Sequence, residues 1–248
     1  MSSDCLQVID LCGPVGTPVI DNVNLAVEPG QTHVVLGPIH SGKSMVMRHI
    51  LGLERAQRGR IVVGGESFDA TAPREEDLLR LRRRVGAIFQ GSALLTRIDA
   101  VENVELPLLE HTDASPKEAR SAARELLADV GLSVAEDTTP DQLGRADQRR
   151  VALARALALR PPVLLLDEPT AGLDSHAAAE LDDTIARIQD RQRFGLLIFS
   201  HEVRYAFGRA ERISVMADGT IVESGDRASL ARSDNEVVQQ LLHRREGR

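Results

Sequence analysis

A glycine-rich segment between an apolar run and a helical pattern carries the residues of this sequence that are best suited to bind an anion. It reads Gly37-Pro38-Ile39-His40-Ser41-Gly42-Lys43-Ser44, which fits the phosphate-binding pattern G-x-x-x-x-G-K-S. Its two glycines allow a tight turn in which backbone N–H groups approach a phosphate. A helix that begins near Gly42 would point the positive end of its dipole at the same place. The pattern therefore predicts a nucleotide site.

Two side chains of this loop have predicted roles of their own. Lys43 would reach the β- and γ-phosphates of a nucleotide, and the Ser44 hydroxyl would bind Mg²⁺. The set of nucleotide-binding residues extends to Met45, at the start of the expected helix. His40 stands where a small residue is common, and histidine tolerates unusual φ angles, so we expect the loop to keep its shape. The alternative is a chance match in a strand-to-helix turn, which the flanking strand and helix patterns disfavour.

A pair of carboxylates supplies the second half of the predicted chemistry. Asp167 and Glu168 follow an apolar strand pattern, so Asp167 should emerge at the carboxyl end of a buried strand, where nucleotides bind. Asp167 is the expected Mg²⁺ partner, through a water molecule, and Glu168 the general base for an attacking water. Such a pair alone also fits a solvated turn. After a phosphate-binding loop, it points to nucleotide hydrolysis.

The strand patterns predict a core sheet and a smaller sheet beside it. Core strands that alternate with helices, typical of a mostly parallel sheet, are predicted at 32–36, 85–89, 163–166 and 195–199. Two later segments form a predicted hairpin about Asp218-Gly219. Short segments before and after the loop predict a small antiparallel sheet: 6–11, 19–27 and 61–63, the last entered through a turn at Arg58-Gly59.

Capping residues mark several helix ends. Helices are predicted at 45–51, 74–84, 116–130, 145–159, 175–188 and 234–243. Ser115 and Ser175 are expected to cap two of them, and Gly131 to end one. Two helices lie in a segment of about 91–160, which is predicted as an inserted helical subdomain. The expected fold is therefore α/β: a P-loop NTPase core with a small antiparallel β subdomain and this helical subdomain, in one domain over 1–248.

Composition limits the possible partners and compartment. The 248 residues are 42% hydrophobic and 27% charged, which is ordinary for a globular protein. The net charge of −7 disfavours a nucleic-acid partner. Cys5 and Cys12 fit no metal-binding spacing and suggest a reducing compartment. The start of the sequence has no signal-peptide pattern, and no apolar run approaches the length of about 20 residues that spans a bilayer. Any membrane part should therefore come from other chains.

The motifs named so far resemble those of a known family. The phosphate loop, Gln90, the segments 167–169 and 171–174, and His201 have the order and spacing of ATP-binding-cassette (ABC) ATPase subunits. The resemblance covers nearly the whole chain and implies ATP and Mg²⁺ as cofactors. It further implies that Gln90 senses Mg²⁺ and links to a membrane partner, that His201 contacts the γ-phosphate, and that Asp174 crosses a dimer interface. Taken singly, Gln90 and His201 are as well explained by structural roles.

The signature motif of that family, Leu-Ser-Gly-Gly-Gln, is altered in this sequence. The aligned residues are Leu143-Gly144-Arg145-Ala146-Asp147. In the family this motif reaches across a head-to-tail dimer to the γ-phosphate of the other subunit's ATP. Gly144 keeps a backbone N–H, Arg145 adds a charge that can meet phosphate, and Asp147 adds a negative charge near an anion. Losing one such donor typically slows a reaction by about 10²-fold. A symmetric dimer should be slow, and a partner with an intact motif could rescue one site.

The position that usually stacks on adenine is a second departure from the family pattern. The family often places an aromatic residue in the loop after the first strand. Here the first aromatic residue is Phe68, and Pro14 falls nearest that position. The sequence therefore gives no aromatic stack that would set affinity or base selectivity.

Three segments resemble the ATPases of Mce and Mla lipid-trafficking systems. They are 89–96, 103–112, which ends Glu110-His111-Thr112, and 233–242. This resemblance implies a bacterial inner-membrane complex that moves phospholipid or another hydrophobic cargo. A segment like 103–109 also occurs in lipoprotein-release, macrolide-export and cell-division cassettes, so those types stay open. His111 is equally explained as a surface histidine at a helix end.

The expected assembly follows from the family resemblance. It contains a second ABC subunit, identical or different, an integral membrane permease, and a substrate-binding or Mce-domain protein. The chain itself would be cytoplasmic, peripheral on the inner face of the membrane. A nucleotide-dependent binding module with little turnover is the main alternative, favoured by the altered signature motif. The retained Lys43, Asp167, Glu168 and His201 favour an ATPase. A cassette protein without a permease is a third possibility.

Overall fold

The computed structural model describes residues 4–13, 20–135 and 137–243, which contain two β-sheets. In chain order the strands are β1 (Leu6–Cys12), β2 (Val23–Val27), β3 (Thr32–Leu36), β4 (Arg58–Val63), β5 (Glu66–Asp69), β6 (Val85–Ile88), β7 (Val163–Asp167), β8 (Gly195–Ser200), β9 (Arg212–Ala217) and β10 (Thr220–Gly225). The larger sheet has the order β10-β9-β3-β8-β7-β6. Its strands β9, β3, β8, β7 and β6 are parallel, and β10 is antiparallel at the edge.

The central strands of the larger sheet are buried on both faces. Every residue of β3, β7 and β8 is buried, as expected for a parallel sheet between two layers. Successive side chains face opposite layers, so Leu164 and Leu166 join one apolar core, and Leu165 joins the other. This sheet confirms the predicted mostly parallel α/β core.

The smaller sheet is antiparallel, with the order β2-β1-β4-β5. Two sequence predictions were wrong here. The strand predicted over 19–27 begins only at Val23, because Asn22 has a φ of 49°, and residues 14–19 lie outside the described ranges. The predicted turn at Arg58-Gly59 is instead the start of β4, which pairs with β1 from Arg58 onward.

Helices connect the strands and cover the larger sheet. They are α1 (Lys43–Ile50), α2 (Glu75–Arg84), α3 (Ala100–His111), α4 (Pro116–Asp129), α5 (Arg145–Leu157), α6 (Ser175–Gln192), α7 (Val203–Arg209), α8 (Arg227–Leu230) and α9 (Glu236–His243). Three of them, α3 to α5, lie between β6 and β7 and share one apolar core with that sheet. Within the described ranges, no helix combines the length and the apolar character needed to cross a bilayer.

The cap of α6 differs from the prediction. Ser175 is the first helical residue, and Asp174 is the cap: its Oδ1 accepts hydrogen bonds from the backbone N–H groups of His176 at 3.0 Å and Ala177 at 2.9 Å. Both residue types cap helices well, so the pattern alone does not distinguish them. The predicted cap at Ser115 is confirmed. The predicted C-cap at Gly131 is wrong by one position: α4 ends at Asp129, Val130 is its C-cap, and Gly131 follows with a φ of 75°.

Two capping boxes in the inserted helices allow a stability prediction. Asp99, which is buried, caps α3 and also lies 3.4 Å from Arg120 of α4, whereas the exposed Ser115 caps α4. We expect Asp99→Ala to lower the free energy of unfolding by about 2 kcal/mol and Ser115→Ala by about 0.5–1 kcal/mol. Urea unfolding followed by circular dichroism measures both. Equal losses would contradict the added contribution of the Arg120 contact.

Candidate nucleotide-binding site

The loop between β3 and α1 has the backbone geometry of an anion cradle. Gly42, the cap of α1, has a φ of 105°, which side-chain-bearing residues rarely adopt. A Cβ atom on Gly37 would overlap the carbonyl oxygen of Met216 in β9, so the loop and β9 can approach only with glycine there. His40 has a φ of 68°, which histidine accommodates, and Ile39 beside it is 68% exposed. Both glycines of the motif are therefore required by the fold.

The start of α1 presents donors toward this cradle. The first helical hydrogen bond is donated by Val46 N to Gly42 O at 3.0 Å, so the N–H groups of Lys43, Ser44 and Met45 have no acceptor within the helix. The Lys43 Nζ donates to Gly37 O at 2.8 Å, Pro38 O at 2.7 Å and Ser41 Oγ at 3.3 Å. Burial lowers the pKa of this ammonium, while the nearby Glu168 and Asp167 raise it. A phosphate could replace the loop carbonyls as its partner.

Asp167 ends the buried strand β7 close to Lys43 and Ser44. The carboxylate is 7% exposed, and burial raises its pKa above the usual value. The Ser44 side chain, Lys43 and Arg149 act against this shift, whereas the charge of Glu168 adds to it. A hydroxyl and a carboxylate at one point are oxygen donors of the kind that Mg²⁺ prefers.

Glu168 and His201 contact each other at the ends of neighbouring strands. Glu168 Oε1 accepts hydrogen bonds from the His201 backbone N–H at 2.9 Å and lies 2.6 Å from His201 Nδ1. Its Oε2 accepts from Ser200 Oγ at 3.2 Å. Glu168 has a φ of 47°, in the left-handed region, where strained residues at functional sites are often found. The carboxylate is thus fixed in direction at the edge that carries the loop.

Gln90 lies in a turn at the end of β6, at the same edge of the sheet. Its side chain is exposed, and the turn is closed by a hydrogen bond from Ser92 N to Phe89 O at 3.0 Å. Because β3, β8, β7 and β6 are adjacent parallel strands, their carboxyl ends bring the loop, His201, the two carboxylates and Gln90 to one edge.

The altered signature segment forms a second group, at the starts of α5 and α6. Gly144 caps α5, Arg145 and Ala146 form its first turn, and Asp174 caps α6. The Arg145 guanidinium lies against Gly172: a Cβ atom placed on Gly172 would be 2.8 Å from Arg145 Nη1. Asp147 is bound by Arg150 at 2.9 Å, and Arg150 also reaches Glu180 of α6 at 2.8 Å. The Asp147 charge is therefore partly offset within the chain.

The donor set suits Mg²⁺ bound together with nucleotide phosphates, and not a metal held by protein ligands alone. Within the described ranges, no group of three or more His, Cys, Asp or Glu side chains could hold a metal ion. Mg²⁺ typically uses one or two protein oxygens, phosphate oxygens and water. Ser44, Asp167 and Gln90 carry oxygen atoms of this kind.

The fold and this edge of the sheet define a nucleotide-binding cassette, and the comparisons with known proteins specify it. The family model described as ABC transporter matches residues 20–171. The chain therefore belongs to the ABC transporter family, as an ATP-binding subunit with an ABC-type ATPase domain.

Similar proteins serve several transport systems. The chain is 39% identical to the L-cystine transport system ATP-binding protein TcyN of Escherichia coli (strain K12), over 87% of each chain. It is 37% identical to the lipoprotein-releasing system ATP-binding protein LolD of Anaeromyxobacter dehalogenans, over 87% of this chain and 89% of LolD. These relatives support the family and do not single out a cargo, so the Mce and Mla resemblance stays a hypothesis.

Solved structures support the same fold. The dimeric ATP-binding cassette MJ0796 in a post-hydrolysis state, bound to ADP and Pi, has a TM-score of 0.78 and 29% identity, over 89% of this chain and 98% of that one. The cassette cbiO1 from Clostridium perfringens, part of the cbiONQ complex, has a TM-score of 0.81 at 22% identity and supports the fold alone. The two coverages of cbiO1, 98% of this chain and 96% of that one, show that the fold extends over nearly the full length.

Some predicted features lie outside the site or outside the described ranges. Pro14 is not among the described residues, so its position near adenine stays a prediction. Cys5 and Cys12 are buried free thiols, and burial raises the pKa of Cys5 to about 11. His111 ends α3 and lies 3.3 Å from Arg83 Nε, which fits the alternative of a helix-end histidine.

Two residues near the site were missed by sequence reasoning. Arg149, which is buried, donates to the carbonyl oxygens of Phe89 and Gln90. Asn103, fully buried, binds both the N–H and the carbonyl of Leu95. A cation on the inner face of a mostly apolar helix is the signal that could have identified Arg149.

The raised pKa of Asp167 gives a prediction with a defined sign. An acid whose pKa rises on folding destabilises the folded state at pH values above that pKa, and the penalty is relieved as the pH falls through it. We therefore expect Asp167→Asn to raise the melting temperature of the nucleotide-free protein at pH 7, because the cost of the buried carboxylate is removed. Calorimetry at several pH values should show this gain disappearing toward acid pH.

Asp69→Asn is the control for that experiment. Hydrogen bonds from Thr71 lower the pKa of the exposed Asp69, so its carboxylate form is favoured in the folded state. Its replacement should give no gain in melting temperature at pH 7. A lower melting temperature for Asp167→Asn at pH 7 would contradict a net penalty for the buried carboxylate.

Proposed function

We propose that this chain hydrolyses Mg²⁺-bound ATP slowly, in a dimer of cassettes that drives a lipid-transporting permease. The observation that carries the hydrolytic part is the direct contact between Glu168 and His201 at the edge that bears the phosphate loop. The proposal for slow turnover rests on the altered signature segment from Gly144 to Asp147.

In this proposal Glu168 is the general base. The carboxylate accepts a proton from the attacking water, and the hydrogen bonds from His201 and Ser200 keep it oriented. His201 Nδ1 faces Glu168, which leaves Nε2 available for the γ-phosphate. Catalysis then depends mainly on positioning, because little covalent chemistry falls to the protein in phosphoryl transfer.

Lys43 and the start of α1 hold the phosphates. The ammonium leaves the carbonyls of Gly37 and Pro38 when a phosphate offers a stronger, charge-assisted hydrogen bond. Ser44, Asp167 and Gln90 would hold Mg²⁺, which neutralises charge on the phosphate oxygens when it is bound. The Ser44 and Met45 backbone N–H groups add donors at the positive end of the helix dipole.

Replacing Glu168 tests the catalytic assignment. We expect Glu168→Gln to lower kcat by about 10²-fold or more while ATP binding stays within about twofold, because the base is lost and the phosphate loop is unchanged. Steady-state phosphate release and equilibrium binding of ATP measure the two effects, both with the chain alone and with its permease. Turnover that does not depend on Glu168 in either setting would refute the ATPase mechanism.

The second half of each ATP site would come from a partner cassette. In a head-to-tail dimer, Gly144, Arg145 and Ala146 of one subunit would face the nucleotide of the other, and Asp174 would lie near the dimer interface. The free guanidinium end of Arg145 is the strongest donor that remains in the segment, and its position against Gly172 holds it near that interface. The partner in this proposal is either a second copy of the chain or a cassette with an intact motif.

Restoring the family motif tests this assignment. Gly144→Ser combined with Arg145→Gly reintroduces a hydroxyl donor and permits close backbone approach, so we expect turnover per dimer to rise by about tenfold or more. Phosphate release at saturating ATP measures the change, and the single variants serve as controls. An unchanged or lower rate would mean that Arg145 already replaces the missing donors.

The permease would dock beside Gln90. An open groove of about 250 Å³ lies between the end of α2, β6, α3 and α5, and its lining includes Arg83, Glu110 and His111. Leu95, before α3, and Leu109, near the end of α3, are 47% and 38% exposed and suit an apolar contact. Such docking would place the chain at the cytoplasmic face of an inner membrane.

A lipid cargo is the finer part of the proposal. It rests on the resemblance of segments 89–96, 103–112 and 233–242 to Mce and Mla cassettes, and LolD among the relatives keeps a lipoprotein-release role as the alternative. The tagged chain, purified from its native membrane, should retain a permease and an Mce-domain protein, identified by mass spectrometry. Retention of a binding protein for amino acids would instead favour an importer like that of TcyN.

A nucleotide-dependent binding module remains the second candidate function. The absence of the signature serine and glycines is the observation in its favour. In that case ATP would drive dimerisation without Glu168-dependent phosphate release. Sedimentation of the chain with ATP and Mg²⁺ distinguishes the binding module from the ATPase. The module would stay dimeric over a time in which an active ATPase completes many turnovers.

A further inference from the structure

Arg149 of α5 is the residue that the structure connects to the Gln90 turn. We propose that Arg149 is a positioning residue that holds Gln90 in place for the Mg²⁺–nucleotide site and couples it to the helix that begins at Gly144. The inference rests on the proposed nucleotide and Mg²⁺ site. It adds a residue to which that proposal gave no role.

The contacts of Arg149 are unusual for a buried cation. Nη1 donates to Phe89 O at 2.7 Å, and Nη2 donates to Gln90 O. The side chain is 5% exposed, and neither bond is to a carboxylate. A planar guanidinium with two parallel donors matches two successive carbonyl groups, whereas a lysine would supply a single point of charge. The two bonds therefore fix the orientation of the peptide that precedes Gly91.

The charge of Arg149 also reaches the metal side of the site. Arg149 lies close enough to Asp167 for each charge to affect the pKa of the other group. Arg149 is thus placed between the strand end that carries Asp167 and the turn that carries Gln90. Because α5 is a single helix of 13 residues from Arg145 to Leu157, a shift of its first turn moves this contact as well.

The segment that follows Gln90, from Gly91 to Leu95, is held by a separate set of hydrogen bonds. Asn103 fixes Leu95 through its backbone N–H at 2.8 Å and its carbonyl at 2.9 Å, and Arg155 donates to Ser92 O at 3.1 Å. Arg155 is partly buried on α5, and its pKa is lowered by desolvation, with no carboxylate among the causes. Asn103 and Arg155 therefore hold the segment after Gln90, whereas Arg149 binds Gln90 itself.

The test compares the Mg²⁺ dependence of nucleotide binding in five variants. The probe is a non-hydrolysable ATP analogue, bound by the full chain with Mg²⁺ varied. We expect Arg149→Met to raise the half-saturating Mg²⁺ concentration by about fivefold or more, with affinity for the analogue without Mg²⁺ within about twofold. Gln90→Ala should give a similar rise, and the double variant should rise no further than either single variant.

Two further variants separate positioning from general stability. Arg155→Gln removes a partly buried cation of the same helix and should lower the melting temperature without moving the Mg²⁺ midpoint. Arg149→Lys keeps the charge near Asp167 but not the paired bonds, and should recover only part of the loss.

The outcomes distinguish this inference from the function on which it rests. A multiplicative effect of Arg149→Met and Gln90→Ala, or an equal Mg²⁺ shift in Arg155→Gln, would overturn the positioning role. Failure of the unaltered chain to bind the analogue would instead overturn the proposed site. Because the readout is binding, a chain with very slow turnover is tested equally well.

Discussion

Asp167 is a carboxylate at the end of a fully buried strand, and the surrounding site is arranged to offset the free-energy cost of that position. Burial raises its pKa, and only Ser44, Lys43 and Arg149 act in the opposite direction. Glu168 beside it adds a second negative charge. A cation that binds at this point gains from both carboxylates at once, since the repulsion between them is relieved. In the proposed function, a bound cation would complete the charge balance at this strand end.

The same position explains how the other groups are held. Asp167 belongs to β7 and is buried with it, so its backbone direction is set by the sheet. Glu168 must turn away immediately, and it does so with a φ of 47° and a hydrogen bond from its backbone N–H to Phe199 O at 2.9 Å. This strained turn directs the Glu168 carboxylate toward Ser200 and His201. Two adjacent carboxylates thus obtain separate directions from a single bend of the backbone.

Local patterns predicted the parts of this arrangement that are local in the chain. The strand, glycine turn and helix over 32–51, and the carboxylates after β7, were found because each depends on neighbouring residues. Arg149 could not be found in this way, because its partners lie about 60 positions away and accept through backbone carbonyls, which leave no trace in residue type. The cap of α6 shows the local limit: Asp174 and Ser175 both suit the role, and only the observed helix start selects Asp174.

In the signature segment, a charge that the sequence places near the expected phosphate is offset by a neighbouring side chain in the fold. Taken alone, Asp147 places a negative charge near an expected phosphate. In the structure Arg150 binds both Asp147 of α5 and Glu180 of α6, so these two carboxylates share one cation. The Arg145 guanidinium, by contrast, lies beside Gly172, which carries no charge. In the proposed dimer, the segment would offer a positive side chain to the partner's nucleotide, because Arg150 engages the Asp147 carboxylate and the Arg145 guanidinium can meet an anion. The departures from the family motif favour a changed mode of phosphate contact. One long cationic side chain, Arg145, stands where small residues and a hydroxyl usually let the backbone approach the phosphate.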